Sequence, residues 1–269
     1  MPRLAVLGQP IVHSRSPAMF SAAFTELGIA SDWTYEALEV APDELAARVQ
    51  RMPAEGFAGA NVTLPHKLAA LAIADHASDV ARAIGAANTL SFTGAGIEAE
   101  NTDASGVLTA LPEQPRGRRA LVLGAGGSAR AVIWGLREAG AEVSIWNRTE
   151  TKAERLARAF HVRCVAEPAD FDLLVNCTTL GLRQASRRPP ESEDLEPFPF
   201  GADAIRATHI VVDLVYGKHD TALLALARDR GARVVDGLEV LVRQGAASLR
   251  IWTGLAPPLE SMRTAARAS

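Results

Sequence analysis

The stretch ALVLGAGGSARAVIWGLREAG, residues 120–140, has the pattern of a buried strand, a glycine-rich turn and an amphipathic helix. Gly124 and Gly126 let the backbone turn sharply and approach a pyrophosphate, and Ala129 takes the place of the third glycine in the usual spacing. The first N–H groups of the helix can then receive the anion. No Lys-Ser pair follows the glycines, which disfavours a nucleoside-triphosphatase loop. The stretch predicts a dinucleotide site formed by Gly124, Ala125, Gly126, Gly127, Ser128 and Ala129.

The next predicted strand, EVSIWN at 142–147, indicates which dinucleotide is bound. NAD sites usually place an acid at the end of this strand to hold the ribose hydroxyls. Here the strand ends in Asn147, Arg148 and Thr149, and Lys152 follows one turn later. Guanidinium and ammonium groups bind phosphate through charge-assisted hydrogen bonds, so the sequence favours NADP over NAD. The alternative is that Arg148 is an ordinary surface arginine.

Short apolar runs alternate with helical stretches along the chain, a pattern typical of an α/β fold with parallel strands. The polar segment PEQPRGRR, residues 112–119, leads into the second unit. We expect an N-terminal α/β domain over 1–103, a Rossmann-type doubly wound domain over 104–237, and a helical segment over 238–269. That segment is apolar at helical spacing, so it must pack on another element and can return to the first domain. Residues 183–200 are predicted to be an irregular surface loop.

Composition excludes several classes of protein. The 269 residues carry a net charge of −3, with a pI of about 6.1, so no nucleic-acid partner is expected. The start of the chain lacks a signal-peptide pattern, and no run approaches the roughly 18 apolar residues of a membrane helix. Two cysteines make no disulfide framework. We expect a cytoplasmic protein without a membrane partner and without a metal site.

Small polar side chains cluster at the predicted strand ends of the first domain. Each has an ordinary structural explanation: Ser16 as a helix N-cap, Asn88 as a turn former, Asp103 as the N-cap of the connecting helix. Ligands of α/β domains, however, bind at the carboxyl ends of strands. The set suits a small polyhydroxylated ligand and consists of Ser14, Ser16, Asn61, Thr63, Asn88 and Asp103.

A lysine ends the stretch GANVTLPHK, residues 59–67, in a chain that otherwise prefers arginine. The chain has 28 Lys plus Arg, and its lysines are Lys67, Lys152 and Lys218. An ammonium group can exchange a proton when its surroundings lower its pKa, whereas a guanidinium cannot. Lys67 is therefore a candidate acid–base group. Because Lys152 and Lys218 are retained without such a need, a surface cation remains the alternative for Lys67.

Nine motifs follow one another over roughly residues 4–255: GQPIVHSRSP, GANVTLPHK, GAANTL, NTDASG, LGAGGSARA, NRT, VNCTTLGL, DLVY and GLEVLVRQGA. In this order they resemble the motifs of the shikimate dehydrogenase family. The family reduces 3-dehydroshikimate to shikimate with NADPH in aromatic amino-acid biosynthesis. The resemblance implies a shikimate-binding N-terminal domain, an NADP-binding Rossmann domain, a ligand cleft between them and a C-terminal helix that returns to the first domain.

The resemblance also implies roles for individual residues. Ser14 and Ser16 would hold the ligand carboxylate, with Tyr216 nearby. Lys67 and Asp103 would flank the reacting carbinol as the catalytic pair. The ring hydroxyls would meet these two and Asn61, Thr63, Asn88 and Gln244. The adenosine ribose and its phosphate would meet Asn147, Arg148, Thr149 and Lys152, and Gly237 would line the nicotinamide pocket.

Three residues depart from the family pattern on the nicotinamide side. Lys218 stands where proline is common, and Leu182 and Val240 stand where methionine is usual. Two alternatives stay open: a relative that acts on quinate or an aminated shikimate analogue, and a catalytically silent module that binds the same ligands. Ser16 and the basic NRT turn argue against the first, and Lys67 and Asp103 argue against the second. A monomer or a homodimer is expected.

Overall fold

The computed structural model describes residues 1–168 and 170–268. The chain forms two compact units, Met1–Gly106 together with the chain from Leu241 onward, and Val107–Val240. The chain passes between them inside two helices, Asp103–Ala110 and Gly237–Thr253. The boundaries predicted after residues 103 and 237 fall at the starts of these helices, because a change of sequence pattern marks where a helix begins and not where its contacts change.

Each unit is built on a six-stranded sheet among the described residues. The strands are β1 (Arg3–Gly8), β2 (Thr34–Glu39), β3 (Phe57–Val62), β4 (His76–Ala77), β5 (Thr89–Thr93), β6 (Gly96–Glu100), β7 (Arg119–Leu123), β8 (Glu142–Trp146), β9 (Arg163–Cys164), β10 (Leu173–Asn176), β11 (Ile210–Asp213) and β12 (Arg233–Val235). In the first sheet the order is β2-β1-β3-β5-β6-β4, and in the second it is β12-β11-β10-β7-β8-β9.

The α-helices connect and cover these strands. They are α1 (Ser16–Glu26), α2 (Leu45–Arg51), α3 (Lys67–Ala72), α4 (Asp79–Ile84), α5 (Asp103–Ala110), α6 (Gly127–Glu138), α7 (Glu150–Phe160), α8 (Leu182–Arg187), α9 (Ala222–Asp229), α10 (Gly237–Thr253) and α11 (Leu259–Ala268). No helix of the described residues is both long and apolar enough to cross a membrane.

The second sheet is parallel throughout, and its strand order reverses beside β7, as in a doubly wound Rossmann fold. Successive side chains of β7 face opposite sides of the sheet. Val122 packs with Ile133 of α6 in one core cluster, while Leu121 packs with Leu223 of α9 in another. Both faces of the sheet are therefore covered by helices, which is what an all-parallel sheet requires.

The first sheet is mixed, since β5 and β6 form an antiparallel hairpin beside the parallel strands β1, β2 and β3. Leu7 and Leu90 share a buried cluster with Leu45 of α2. The C-terminal helices belong to this unit. The Trp252 indole N–H of α10 donates to the Leu90 carbonyl at 3.1 Å, and α11 packs on α1. The prediction of a two-domain α/β fold with a returning C-terminal helix is confirmed.

The structure differs from local expectations in three places. Ser16 does not cap α1: Arg15 holds the N-cap position without a side-chain capping bond, and Ser16 is the first helical residue. Residues 183–200 are not wholly irregular, because α8 reaches Arg187 and a 3₁₀ turn covers Ser192–Leu195. The helix α9 was not predicted, although Leu223, Leu224 and Ala227 are buried at helical spacing and this spacing was the available signal.

Candidate functional site

The lysine singled out in the sequence lies just beyond the carboxyl end of β3, where it opens α3. The turn before it is held by backbone bonds, from Thr63 N–H to the Leu7 carbonyl at 2.9 Å and from His66 N–H to the Thr63 carbonyl at 2.8 Å. The buried His66 ring is anchored by its Nε2, 2.8 Å from the Val40 carbonyl. These hydrogen bonds hold the backbone that leads into Lys67 in a fixed position.

The Lys67 ammonium donates to Asp103 Oδ2 at 2.6 Å. The two side chains are only 12% and 13% exposed. A short pair largely removed from water is electrostatically stronger than a surface ion pair, and its geometry is better defined. The other carboxylate oxygen, Asp103 Oδ1, accepts from the Asn88 amide at 3.0 Å. The carboxylate is therefore held on both sides.

The structural explanation offered for Asp103 was that it caps α5. In the structure Asn101 caps this helix instead. Its Oδ1 accepts from the backbone N–H of Asp103 at 3.1 Å and of Ala104 at 3.4 Å. Its Nδ2 donates to the Ala86 carbonyl at 2.9 Å. The Asp103 carboxylate is consequently available to Lys67. Sequence reasoning missed Asn101, although Asn two residues before a helix start is a known turn signal.

Asn88 forms hydrogen bonds with residues that are far apart in sequence. Its amide donates to Gln244 Oε1 on α10 at 3.0 Å, across a separation of 156 residues. It also donates to Thr102 Oγ1 at 2.9 Å, while its Oδ1 accepts from Thr102 N–H at 2.7 Å. The structure thus brings together Lys67, Asn88, Asp103 and Gln244, all four of which were candidates from the sequence.

Asn61 lies deeper than the catalytic candidates, at 5% exposure. Its Oδ1 accepts from the Tyr35 hydroxyl at 2.8 Å, and its Nδ2 donates to the Ser248 hydroxyl of α10 at 2.9 Å. Ser248, fully buried, also lies 2.8 Å from Thr89 Oγ1. This polar cluster joins α10 to the sheet. Local sequence carried no signal for it, since Ser248 and Thr89 are 159 residues apart.

Two further candidates lie on the segment that leads from β1 into α1. Ser14 is half-buried and Ser16 is buried. The Ser14 hydroxyl accepts from the Ser16 backbone N–H at 3.3 Å. Thr63 is half-buried directly after β3. These three side chains lie beyond the carboxyl ends of the parallel strands β1 and β3.

The glycine-rich turn lies at the carboxyl end of β7, where the second unit's strand order reverses. Gly124 has φ +108°, and a Cβ there would lie 3.1 Å from the Cys177 carbonyl carbon and oxygen. Gly126 is the N-cap of α6, with extended backbone, and a Cβ on it would meet no atom within 4 Å. The open space beside the first N–H groups of α6 suits a pyrophosphate. Ala129 is fully buried behind it.

The basic turn after β8 is exposed. Asn147 Nδ2 donates to the Thr149 carbonyl at 2.9 Å, and Thr149 is the N-cap of α7. Arg148 and Lys152 are exposed, and neither forms an ion pair within the described part of the chain. Two cations without a carboxylate partner are what a bound phosphate monoester needs.

The remaining candidates follow β11 in the second unit. Tyr216 is half-buried on the segment after that strand. Gly237 opens α10, and a Cβ there would lie 2.6 Å from the Leu214 carbonyl oxygen, so only glycine fits. Of the residues that depart from the family pattern, Leu182 and Lys218 are exposed and Val240 is buried in the core of this unit.

Asp213, the last residue of β11, was not a candidate from the sequence. It is fully buried and accepts three hydrogen bonds, from Asn176 Nδ2, Val215 N–H and the Thr221 hydroxyl. Burial raises the pKa of its carboxyl to about 6, because desolvation outweighs the three donors. The signal available in the sequence was that Asp213 is an acidic residue at the end of the apolar run of a predicted strand, where the DLVY motif begins.

Three family models match successive parts of the chain. The model of the shikimate dehydrogenase substrate binding domain matches residues 6–90. The model of shikimate / quinate 5-dehydrogenase matches residues 109–176. The model of the shikimate 5'-dehydrogenase C-terminal domain matches residues 237–267.

Curated relatives and solved structures resemble the chain over nearly its whole length. The shikimate dehydrogenase (NADP(+)) of Acidiphilium cryptum is 43% identical over 96% of this chain and 93% of its own. A protein of the same name from one strain of Thermus thermophilus is 43% identical over 99% of this chain and 98% of its own. A crystal structure of shikimate 5-dehydrogenase from another Thermus thermophilus strain, in complex with NADP(H) and shikimate, matches with TM-score 0.86 and 41% identity, covering 100% of this chain and 99% of that one.

Proposed function

Because the chain belongs to the shikimate dehydrogenase family, we propose that it catalyses the reversible, NADPH-dependent reduction of 3-dehydroshikimate to shikimate. The observation that carries the proposal is the ion pair of Lys67 and Asp103, 2.6 Å long and mostly buried, in the unit that matches the substrate-binding model. A silent binding module has no need for a lysine held in this way.

NADPH, when bound, supplies the hydride for the carbonyl carbon. The carbonyl oxygen then needs a proton, and the Lys67 ammonium is the donor. In the reverse direction the same amine takes the proton of the hydroxyl. Asp103 orients the Lys67 side chain and stabilises its positive charge, and Asn88 keeps the Asp103 carboxylate from rotating. Acid–base assistance of this kind is worth about 10²–10⁴ in rate.

Substrate recognition rests on hydroxyls and amides of the same unit. Ser14 and Ser16 bind the substrate carboxylate with their hydroxyls. Thr63, Asn88 and Gln244 bind the ring hydroxyls. Asn61 also binds a ring hydroxyl: bonds to the Tyr35 and Ser248 hydroxyls hold its amide in place, and its Oδ1 keeps a second lone pair for the ligand.

Cofactor recognition rests on the second unit. The first N–H groups of α6 bind the pyrophosphate, next to the open space at Gly126. Arg148 and Lys152 bind the 2′-phosphate, Asn147 and Thr149 flank the ribose, and Gly237 lines the nicotinamide pocket, with Tyr216 near the substrate carboxylate.

The protein works in the cytoplasm as a monomer or a homodimer. Within the described residues, Cys164 and Cys177 are not joined in a disulfide, as is usual in a reducing compartment. Size-exclusion chromatography with light scattering distinguishes the two oligomeric states.

Initial rates at 340 nm with shikimate and quinate, each with NADP and NAD, test the proposal. We expect the highest kcat/KM for shikimate with NADP. A preference for quinate of about tenfold or more would assign the chain to the quinate branch, since that ratio is worth about 1.4 kcal/mol of transition-state binding. Binding of both ligands by calorimetry without any absorbance change would instead identify a silent module.

A further inference from the structure

Asp213 connects three separate segments of the second unit. Its Oδ1 accepts from Asn176 Nδ2 at 2.9 Å and from Val215 N–H at 3.0 Å. Its Oδ2 accepts from the Thr221 hydroxyl at 2.6 Å. Asn176 ends β10, and Thr221 caps α9 by accepting from Leu224 N–H. One carboxylate therefore ties together two neighbouring strand ends and the start of a helix.

The network continues from Asn176 to the glycine-rich turn. Asn176 Oδ1 accepts from the Thr178 backbone N–H at 3.0 Å and from the Thr178 hydroxyl at 2.7 Å. The Thr178 hydroxyl in turn accepts from Leu180 N–H at 3.1 Å. The backbone of Cys177 and Thr178 lies against Gly124, whose missing side chain makes room for it. The Asn176 amide thus fixes a loop that borders the proposed pyrophosphate site.

The network also shapes the segment beside Gly237. Asp213 accepts a hydrogen bond from the Val215 N–H, and the carbonyls of Leu214 and Val215 pack against Gly237. A Cβ at position 237 would lie 2.6 Å from the Leu214 oxygen and 2.9 Å from the Val215 oxygen. The backbone conformation of Leu214 and Val215 therefore determines the shape of the proposed nicotinamide pocket beside Gly237.

We propose that Asp213, acting through Asn176 and Thr221, is a positioning residue that holds loops 177–181 and 214–217 in the arrangement that binds the nicotinamide cofactor. The inference rests on the proposed use of NADP. A fully buried carboxylate is costly, and a hydrophobic residue or an amide would serve a purely packing role at lower cost. Only a carboxylate accepts from three donors with both of its oxygens. None of these three donors carries a charge.

Thr221→Val and Thr221→Ser separate positioning from packing. Valine matches threonine in shape but removes the hydroxyl that both donates to Asp213 and caps α9, whereas serine keeps it. Asp213→Asn is the second disruptive variant. Phe160→Leu, at a buried site elsewhere in the unit, controls for general loss of stability. NADP affinity is measured by calorimetry, kcat and both KM values by initial rates, and loop order by amide hydrogen exchange of Thr178 and Val215 in the ligand-free protein.

We expect Thr221→Val and Asp213→Asn to weaken NADP binding by about tenfold or more, since small misplacements of binding loops have large effects. Shikimate binding should weaken less than NADP binding, because Tyr216 is the one proposed substrate contact that lies in these loops. Exchange at Thr178 and Val215 should accelerate in Thr221→Val, and Thr221→Ser should restore both readouts.

Lower thermal stability with NADP affinity and exchange as in Phe160→Leu would overturn the proposal. If wild-type protein binds NADP but does not oxidise shikimate, the proposed function fails while the affinity comparison still decides the role of Asp213. If wild-type protein does not bind NADP, both fail.

Discussion

At the scale of single residues, chemistry depends on which groups are left available by their neighbours. Asn101 caps α5, so the Asp103 carboxylate is available to Lys67. Asn61 is held by the Tyr35 hydroxyl, which donates to its Oδ1, and by the Ser248 hydroxyl, which accepts from its Nδ2. Residue type at a strand end predicted both as ligand contacts, and the hydrogen-bond partners show how each side chain is held.

Arg148 decides the choice of cofactor in our account. Arg148→Asp should raise the KM for NADP about tenfold or more, because a charge-assisted bond to phosphate worth about 1.5–3 kcal/mol is replaced by repulsion. The KM for NAD should stay the same or fall. Initial rates with both cofactors check this, with Arg158→Asp as the matched control at an exposed position of α7, the helix that follows. Equal losses for NADP and NAD would show that Arg148 does not bind the 2′-phosphate.

Ser16 provides a test of substrate binding that is free of capping effects. Because Arg15 and not Ser16 holds the N-cap position of α1, Ser16→Ala should cost little stability. The KM for shikimate should rise by about tenfold or more, as expected for a lost bond to a carboxylate worth about 1.5–3 kcal/mol. Thermal unfolding and initial rates are measured together. A drop in melting temperature without a change in KM would mean that Ser16 is structural.

At the scale of elements, the start of α5 links folding to catalysis. Asn101→Ala removes the acceptor for two helix N–H groups and should destabilise the protein by about 1 kcal/mol. Because Asp103 is the first residue of that helix, kcat should fall as well. Ser78→Ala at the N-cap of α4 is the control for a lost capping oxygen, and its stability loss also includes the bond that the Ser78 hydroxyl donates to Glu100 at 2.7 Å. Equal stability losses with unchanged kcat in both variants would separate the cap from the catalytic pair.

The end of β11 makes stability depend on pH. Asp213 has a pKa of about 6 in the folded protein, against an ordinary value near 3.8. Its protonated form is therefore favoured by folding, so this contribution to stability is complete below pH 3.8 and is lost as pH rises through about 6. Asp213→Asn abolishes this titration.

Urea unfolding at pH 5 and pH 8 measures the effect. The free energy of unfolding of the wild type relative to Asp213→Asn should be about 1–2 kcal/mol greater at pH 5 than at pH 8. If the difference in unfolding free energy between wild type and Asp213→Asn is independent of pH, or is greater at pH 8, the raised pKa of Asp213 is contradicted.

At the scale of the whole molecule, the sequence predicted what is encoded locally. The glycine turn at 124–127 and the helix after it are contiguous, so periodicity and turn chemistry were sufficient. Lys67 and Asp103 were predicted from their motifs, 36 residues apart. The roles of Ser248 and Asp213 depend on partners from distant strands and helices, and no local pattern encodes such partners. The omission of α9 had a different cause, since its buried residues Leu223, Leu224 and Ala227 do follow helical spacing and the local signal was overlooked.

The central claim is that Lys67 transfers the proton that accompanies hydride transfer. The most direct measurement is kcat for shikimate oxidation by wild type, Lys67→Ala and Lys67→Arg, with NADP affinity measured in parallel. Arginine keeps the charge beside Asp103 but cannot give up a proton. Both variants should lose at least about a hundredfold in kcat, with a smaller change in the KM for shikimate and unchanged NADP binding. A near-normal kcat with only a raised KM, above all in Lys67→Arg, would make Lys67 a binding residue and contradict the account.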